Sequence, residues 1–341
     1  MLSKKINKFK LTIIVPTYNR YNSLKKTLPT FLKSKRKDIC FLILNNNSTD
    51  KTVNLVNKYQ KKDKRIFLIS HKNNIGAANN FRFGLKKVST PYVTIVSDDD
   101  LLKGNYFSSC IEIFEKYKEV GLIHHEFGKV FKKKNRYNIY KKGLQSSKEA
   151  YRYSSMIAGL SFRTKLLNFD YYPTKKSKVY SYLSQVLPIT QKNSFAKINN
   201  AGFIPLNKDT NLTFQTLKSY RKLQQRPFDY GISEICDYVI NSKLNEISKL
   251  EILSKKLKWF CLISILYPKE DFAKLLYQTR DNLGKYFIIF YIYQIIFKFN
   301  KSSLKYFLLD LINPFQIFKN IYNVYLILKY SIKYIIKKCQ N

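Results

Sequence analysis

A chain of 341 residues has room for two domains, or for one large α/β domain with an extension. With 45% hydrophobic and 16% aromatic residues it is too apolar to be intrinsically disordered, because disordered chains combine low hydrophobicity with high charge. The formal net charge of +40 favours an anionic partner, and nucleic acid, anionic lipid and a phosphorylated substrate all meet that description, although the amino-acid usage of an A/T-rich genome would account for about half of the excess.

Short apolar runs alternate with amphipathic stretches from residue 11 to about residue 130. Four predicted strands are LTIIVP, ICFLIL, RIFLIS and YVTIVS, and the stretches between them have the periodicity of helices. This alternation is typical of a parallel, doubly wound sheet, in which ligands bind at the carboxyl ends of the strands. The loops at those ends read PTYNR, NNNSTD, HKNNIG and DDD. Because all four loops are polar, we expect one ligand site at that edge of the sheet.

The last of these loops contains three consecutive aspartates, Asp98 to Asp100. Adjacent carboxylates raise the cost of ionising one another, so such a cluster persists most easily where a cation neutralises it. Oxygen ligands select a hard ion such as Mg²⁺ or Mn²⁺, and an ion held by two carboxylates commonly completes its coordination with substrate phosphates. The alternative is that the aspartates only cap a following helix. Their position among three other polar loops favours the metal site.

The chain reads as helical throughout after about residue 232. The apolar stretch 286–299 is shorter than the ~20 residues that a spanning helix needs. The stretch 322–338 places lysines regularly among Ile, Leu and Tyr, as in helices that lie on an anionic bilayer. Alternatively, this helix packs on the preceding domain with its lysines in water. The five cysteines lack paired spacings and the N-terminus lacks a signal-peptide core. We therefore expect a cytoplasmic protein, peripheral on the inner face of the inner membrane.

Four segments, taken in order, resemble the nucleotide-sugar-binding half of the family 2 glycosyltransferases of the GT-A fold. They are IIVPTYNR, ILNNNSTDKT, NNIGAANNFRFGL and PYVTIVSDDDLL. The resemblance covers roughly residues 10–130 and fades through about residue 205. It implies an α/β fold with a mostly parallel, Rossmann-like sheet flanked by helices. The GT-A domain would occupy residues 1–230, with its nucleotide-sugar half at 10–130 and its acceptor half at 130–230, and a helical region would follow at 231–341.

The resemblance also implies roles for individual residues. The residues that would bind the nucleotide sugar are Pro16, Thr17, Asn19, Arg20, Asn45, Asn74, Gly76, Arg82 and Asp98. Among these, Asn45 stands where the family usually has an aspartate that holds the base, and Gly76 would allow close approach of the backbone. Arg82 would reach the diphosphate. Asp99 and Asp100 would hold Mg²⁺ or Mn²⁺, with Ser97 at the family's usual first acidic position.

The implied reaction transfers a sugar from a nucleoside diphosphate, by preference UDP, to a hydroxyl group with inversion. A carboxylate would deprotonate that hydroxyl. The family's acidic pair has no clear counterpart here, because Gln185 stands near the expected place. The candidate bases are Asp170, Glu126 and Asp209. His124 and His125 are adjacent on a predicted strand, so at most one would face the cleft, and a core or surface position is the expectation.

Two other functions share some of these features. A sugar-phosphate nucleotidyltransferase would carry a glycine-rich loop after the first strand, and PTYNR has no glycine. A non-enzymatic nucleic-acid-binding protein would explain the charge, but the lysines are spread along the chain and no recognised module is present, so we expect no nucleic-acid partner. We predict a metal-dependent bacterial glycosyltransferase that extends a surface glycan, such as lipopolysaccharide or capsule, on a lipid-linked acceptor at an anionic membrane.

Overall fold

The computed structural model describes residues 5–125, 136–154, 156–169, 181–199, 202–206 and 236–253. The chain divides into two compact units, Met1–Gln225 and Arg226–Asn341. In the second unit, residues 236–240 and 246–253 are helical. No helix within the described ranges is long and apolar enough to cross a lipid bilayer. The stretches 286–299 and 322–338 lie outside the described residues, and the expected division into nucleotide, acceptor and helical regions stays a prediction.

The described part of the first unit consists of short strands and helices in alternation. The strands are β1 (Leu11–Thr17), β2 (Ile39–Asn45), β3 (Ile66–Ser70), β4 (Tyr92–Ile95), β5 (Asp100–Lys103), β6 (Val120–His125), β7 (Tyr137–Tyr140), β8 (Leu160–Arg163), β9 (Ser194–Ile198) and β10 (Gly202–Pro205). The helices are α1 (Tyr21–Leu32), α2 (Thr52–Lys62), α3 (Ala77–Lys87), α4 (Tyr106–Lys116), α5 (Leu144–Tyr153) and α6 (Val186–Lys192). Two short 3₁₀ helices, Thr164–Leu166 and Ser181–Gln185, complete the set.

Eight of the strands form one sheet in the order β3-β2-β1-β4-β8-β6-β9-β7. Strands β1 to β4 are mutually parallel, and β6 is parallel to β9. Strand β8 runs antiparallel between β4 and β6, and β7 is antiparallel to β9. Helices flank this sheet, and β5 pairs with β10 in a separate antiparallel ribbon. The predicted fold class, an α/β structure with a mostly parallel sheet, is confirmed.

The apolar runs of the sequence form the centre of the sheet. Every residue of β2 is buried, and the Ile13–Val15 part of β1 has no exposed surface. Strands covered on both faces read as continuous apolar runs because each side chain meets a helix. On α1, Leu24, Leu28 and Phe31 form one buried stripe at helical spacing. The sheet therefore has a rigid centre from which the loops at the carboxyl ends project.

Register places those loops side by side. Thr17, the last residue of β1, is opposite Asn45, the last residue of β2, and Asn45 is opposite Ser70 at the end of β3. On the other side, Ile14 is opposite Ile95 at the end of β4. The alternative reading of the aspartates as a helix cap is wrong. Asp100 begins strand β5, and the next helix, α4, starts only at Tyr106.

Candidate active site

The loops after β1 and β2 are joined by reciprocal hydrogen bonds. The backbone N–H of Asn19 donates to Ser48 Oγ at 2.9 Å, and the N–H of Thr49 donates to Asn19 Oδ1 at 2.8 Å. Asn19 has a φ of 51°, a conformation that asparagine tolerates better than most residues. These contacts fix the path of the first loop, in which the sequence predicts nucleotide-binding residues.

Asp50 joins the first turns of two helices at the same place. Its Oδ2 accepts the N–H of Tyr21 at 3.0 Å, and its Oδ1 accepts the N–H of Thr52 at 3.0 Å. Burial alone would raise the pKa of this carboxyl group, but the hydrogen bonds from Thr52 and Tyr21 outweigh it and lower the pKa. Asp50 was not among the predicted site residues, although an aspartate just before a helix is a recognisable capping signal.

The carboxamide of Asn45 is already engaged within the protein. Its Oδ1 accepts the N–H of Ser48 at 3.0 Å, its Nδ2 donates to Ser70 Oγ at 3.1 Å, and the residue is 2% exposed. Asn45 therefore shapes the loop from inside. Its predicted contact with the base stays a prediction, and in this conformation its carbonyl oxygen is occupied.

Asn46, which the sequence analysis did not single out, joins the second loop to the third. Its Nδ2 donates to Asn74 Oδ1 at 2.8 Å, and its Oδ1 accepts the N–H of Ile75 at 2.9 Å. Asn74 Oδ1 also accepts the N–H of Gly76 at 2.9 Å. Gly76 has a φ of 80°, and a Cβ there would meet nothing within 4 Å. The backbone conformation, rather than crowding, accounts for this glycine.

The three aspartates lie at the same edge of the sheet and are almost buried. Asp98, Asp99 and Asp100 are 8%, 7% and 7% exposed. Arg20 Nε lies 4.0 Å from Asp98 Oδ1, so the first loop brings a cation to the cluster. Ser97 Oγ donates a hydrogen bond to Asp99 Oδ1.

Burial of these carboxylates disfavours their charged form. Burial, and next the charge of Asp99, raise the pKa of Asp98 to about 7, against the opposing influence of Arg20. Burial and the two neighbouring aspartates raise the pKa of Asp100 to about 7 as well. The cluster therefore resists carrying three negative charges unless a cation is close.

The donor set fits a hard divalent ion. Asp98 to Asp100 offer only carboxylate oxygens, which suit Mg²⁺ or Mn²⁺. Within the part of the chain that the structure describes, no group of three His, Cys, Asp or Glu side chains, these aspartates included, is placed so that it could hold a metal ion by itself. An ion held by these aspartates would need further ligands, and phosphate oxygens and water are the usual ones for Mg²⁺.

Behind the aspartates lies a buried network centred on His125, which sequence reasoning did not find. His125 Nε2 lies 2.9 Å from the carbonyl oxygen of Ala158, and the ring packs against Tyr106. The N–H of Gly159 donates to the carbonyl oxygen of Ile95 at the end of β4, at 2.8 Å, and the Tyr106 hydroxyl donates to the carbonyl oxygen of Gly159. This network connects β4, β6 and the segment before β8.

The same ring contacts the ribbon that carries Asp100. Gly202, at the start of β10, lies so close to His125 that an added Cβ would overlap the ring. Strand β10 pairs with β5, where Pro205 is opposite Asp100, and the N–H of Leu206 donates to the carbonyl oxygen of Asp99 at 3.0 Å. Both His124 and His125 are fully buried, so neither is exposed to a cleft.

The three candidates for the catalytic base lie outside the described residues: Asp170, Glu126 and Asp209. Gln185, near the place expected for the base, is buried, and it accepts the N–H of Asn168 and donates to the carbonyl oxygen of Asn168, both at 2.8 Å. Arg82 lies half-buried on α3, and its predicted contact with the diphosphate stays a prediction.

Residues 12–173 match the model of glycosyl transferase family 2. The match covers a little less than half of the chain, and it confirms the predicted resemblance to this family. Over 104 residues it is 33% identical to a Campylobacter jejuni protein named GalNAc(5)-diNAcBac-PP-undecaprenol beta-1,3-glucosyltransferase, covering 30% of this chain and 34% of that protein. The chain spans between 15% and 34% of the length of three curated relatives that it matches.

Solved structures share the fold at low sequence identity. S. aureus TarS 1–349 in complex with UDP-GlcNAc has a TM-score of 0.62 at 16% identity, covering 87% of this chain and 89% of that one. The mannosyltransferase PcManGT from Pyrobaculum calidifontis, in complex with GDP-Man and Mn²⁺, has a TM-score of 0.51 at 12% identity, covering 96% and 88%. These likenesses confirm the GT-A type of fold for this chain.

Proposed function

We propose that this family 2 protein is a metal-dependent glycosyltransferase that moves a sugar from a nucleoside-diphosphate sugar to a hydroxyl group of a glycan. The observation that carries the proposal is the meeting of Arg20 with the buried cluster Asp98 to Asp100 at the carboxyl edge of a parallel sheet. The carboxylates need a further positive charge, which a divalent ion would supply. A diphosphate bound to that ion would be attracted to the positive charge of Arg20.

The donor would lie across the three linked loops. Pro16, Thr17, Asn19 and Arg20 are on the first loop, and the contacts of Asn46 and Asn74 hold the second and third loops together. A pre-formed wall of this kind binds a ligand without first ordering itself, which favours affinity. The UDP-GlcNAc in the TarS structure supports a UDP-sugar as the donor, with a GDP-sugar as the alternative that PcManGT represents.

Asp99 and Asp100 would hold Mg²⁺ or Mn²⁺, and Asp98 would contact the ribose or a metal-bound water. When bound, the ion offsets the charge that develops on the leaving diphosphate. The Mn²⁺ in the PcManGT structure supports this choice of ion. The protein's own part is to hold the carboxylate of Asp99 through Ser97 and to present Arg20 beside Asp98.

A carboxylate on the side of the sugar opposite the leaving diphosphate would deprotonate the acceptor hydroxyl. The hydroxyl oxygen would then attack the anomeric carbon in line with the bond to the diphosphate, and this in-line displacement gives inversion. Glu126, Asp170 and Asp209 stay the candidates for this base. The name of the Campylobacter jejuni relative includes an undecaprenol-linked glycan, which supports a lipid-linked glycan as the acceptor. Work on the cytoplasmic face of the inner membrane, in the synthesis of lipopolysaccharide or capsule, would follow from such an acceptor.

The proposal is tested by calorimetric titration of UDP-, GDP- and dTDP-sugars with and without Mn²⁺. We expect one class of donor to bind, and Mn²⁺ to tighten its binding. Asp99→Asn, which keeps the size of the side chain but removes its charge, should lose the tightening by Mn²⁺. Glu119→Gln, an exposed carboxylate outside the site, is the matched control and should behave as wild type. Binding of no activated sugar would contradict the enzymatic interpretation, and an unchanged response of Asp99→Asn would remove Asp99 from the site.

A further inference from the structure

The connections that lead into the parallel strands are strongly basic. Residues 33–38 read KSKRKD before β2, residues 61–65 read KKDKR before β3, and Lys86 and Lys87 precede β4. Parallel strands begin at the same edge of a sheet, so the fold gathers these segments at the edge opposite the aspartates. We call this edge, formed by residues 5–10, 33–38, 61–65, 86–91 and 116–119, the basic edge.

Three carboxylates in or next to the basic edge each have a specific cation as partner. Asp38 binds Arg36 at 2.5 Å, and Asp63 binds Arg65 at 2.7 Å. Glu115, at the end of α4, binds Lys10 at 2.5 Å. These pairs leave the exposed lysines of the same segments uncompensated. Within the described residues, Lys33, Lys35, Lys61 and Lys62 make no ion pair, and all four are exposed.

The opposite edge is close to neutral by comparison. Its loops carry Arg20, Lys51 and Lys72 against Asp50 and the three aspartates of the cluster. Lysines that are spread along the sequence are therefore concentrated at one edge by the topology. A surface with this much charge of one sign attracts polyanions over about a Debye length, roughly 8 Å at physiological salt.

We propose that the basic edge binds the surface of an anionic lipid bilayer. The edge is broad, since the six strands from β3 to β6 in the sheet order, about 4.8 Å apart, span roughly 24 Å, and a broad array of lysines matches a plane of headgroups. Lysines there also lie over aromatic rings. Lys8 lies 5.3 Å from the ring centre of Phe9, and Lys116 lies 5.3 Å from that of Tyr117. Pairs of an apolar body and a charged tip suit the bilayer interface.

A cleft next to the basic edge offers room for a headgroup. It has a volume of about 780 Å³ and is lined by residues 33–36 of the basic edge and by Leu102 and residues 104–108 at the start of α4. Nucleic acid is the less suitable polyanion. Sequence-specific contact with a duplex needs a helix or ribbon that enters a groove, and single strands need exposed rings on which bases stack. In the described part of this edge the rings lie beneath lysines.

Membrane binding by the basic edge would direct the candidate active site away from the bilayer. Strand β1 has seven residues, so the two edges are separated by roughly 23 Å. If the protein has the function proposed above, the hydroxyl group that accepts the sugar would have to lie at the outer end of a lipid-linked glycan several sugars long. A single sugar attached to a membrane lipid would not reach the aspartate cluster.

The test uses the full chain and co-sedimentation with phosphatidylcholine vesicles that contain or lack phosphatidylglycerol. Each lysine near an anionic surface contributes about 1 kcal/mol, or about fivefold in partitioning. The triple variant Lys35→Gln, Lys61→Gln, Lys62→Gln should therefore bind about a hundredfold more weakly. The matched control Lys25→Gln, Lys26→Gln, Lys58→Gln removes the same charge from exposed positions on α1 and α2, outside the basic edge and the donor loops, and should lose less than fivefold. Binding of wild type should fall with salt.

Three outcomes would overturn the proposal. Equal losses in both triple variants would show a response to net charge alone. Unchanged binding of the basic-edge variant would place the membrane anchor in another part of the chain. Tighter binding to duplex DNA or RNA than to the anionic vesicles would assign the edge to nucleic acid. Calorimetric titration of the donor sugar with each variant is the check on folding, and it also separates failure of this proposal from failure of the proposed activity.

Discussion

Replacement of Gly159 or Gly202 by alanine tests whether the ring of His125 is held between them behind the aspartate cluster. A Cβ at Gly159 would lie 2.6 Å from His125 Cδ2, and a Cβ at Gly202 would overlap the same ring from the other side. The ring is fully buried and hydrogen-bonded to Ala158, so it has no open space to move into. Gly159 also has a φ of 90°, whereas Gly202 is not in the left-handed region.

The two substitutions should therefore differ in a predictable way. Overpacking of a tight interior costs about 1–3 kcal/mol. A non-glycine residue in the left-handed region costs a further 1–2 kcal/mol or so. We expect Gly202→Ala to lower the free energy of unfolding by about 1–3 kcal/mol and Gly159→Ala to lower it by about 2–5 kcal/mol. In a His125→Ala background the ring is gone, so Gly202→Ala should cost almost nothing there, while Gly159→Ala should keep its backbone cost of about 1–2 kcal/mol.

Urea unfolding followed by circular dichroism measures each free energy, and the double-mutant cycle removes the intrinsic effect of His125→Ala. The coupling between Gly202 and His125 should equal the overpacking cost. An equal loss on Gly202→Ala with and without the His125 ring would refute the reasoning, because it would show that another contact makes the glycine necessary.

Three further predictions concern the loops and the charged pairs. Asn46→Ala removes both hydrogen bonds to the loop of Asn74. The affinity for the donor sugar, measured by calorimetry, should therefore fall clearly, whereas the melting temperature of the free protein should fall only slightly. Arg20→Gln removes the cation beside the cluster and should weaken metal-bound donor about tenfold to a hundredfold, the range for hydrogen bonds to charged groups, with an unchanged affinity as the contrary result. The hydrogen bond from Arg65 lowers the pKa of Asp63 below its ordinary value of 3.8. The ionised Asp63 therefore stabilises the fold above that pH, and this contribution is lost as the pH falls through the lowered pKa. The difference in urea midpoint between wild type and Asp63→Asn should shrink below about pH 4.

The centre of the fold was predictable because its strands are buried on both faces. The predicted strands at 11–16, 39–44 and 65–70 correspond to Leu11–Thr17, Ile39–Asn45 and Ile66–Ser70. A strand covered on both sides must be apolar along its whole length, so its sequence reports its structure directly. The position of the candidate site followed from the same pattern, since polar loops after such strands meet at one edge.

The second half of the sheet was not predictable in the same way. Strand β8 has only four residues and inserts antiparallel between β4 and β6, and no local pattern in MIAGLSFR specifies these neighbours. His125 shows the same limit at the level of the site. The sequence indicates a core or surface histidine, but the partners that give it a role, Gly159 and Gly202, come from distant parts of the chain and meet it only in the folded protein.

The aspartate cluster connects these two halves physically. Three carboxylates that are each less than a tenth exposed destabilise the folded chain when no cation is close, and Arg20 at 4.0 Å offsets only part of that repulsion. The main chain keeps them in place from both sides, because the hydroxyl of Thr27 donates to the carbonyl oxygen of Asp98 and the N–H of Leu206 donates to that of Asp99. These backbone hydrogen bonds fix the main chain beneath the cluster. On the proposed function, a divalent ion and a diphosphate would meet carboxylates whose main chain is already in place, which is the preorganisation that the transfer reaction would require.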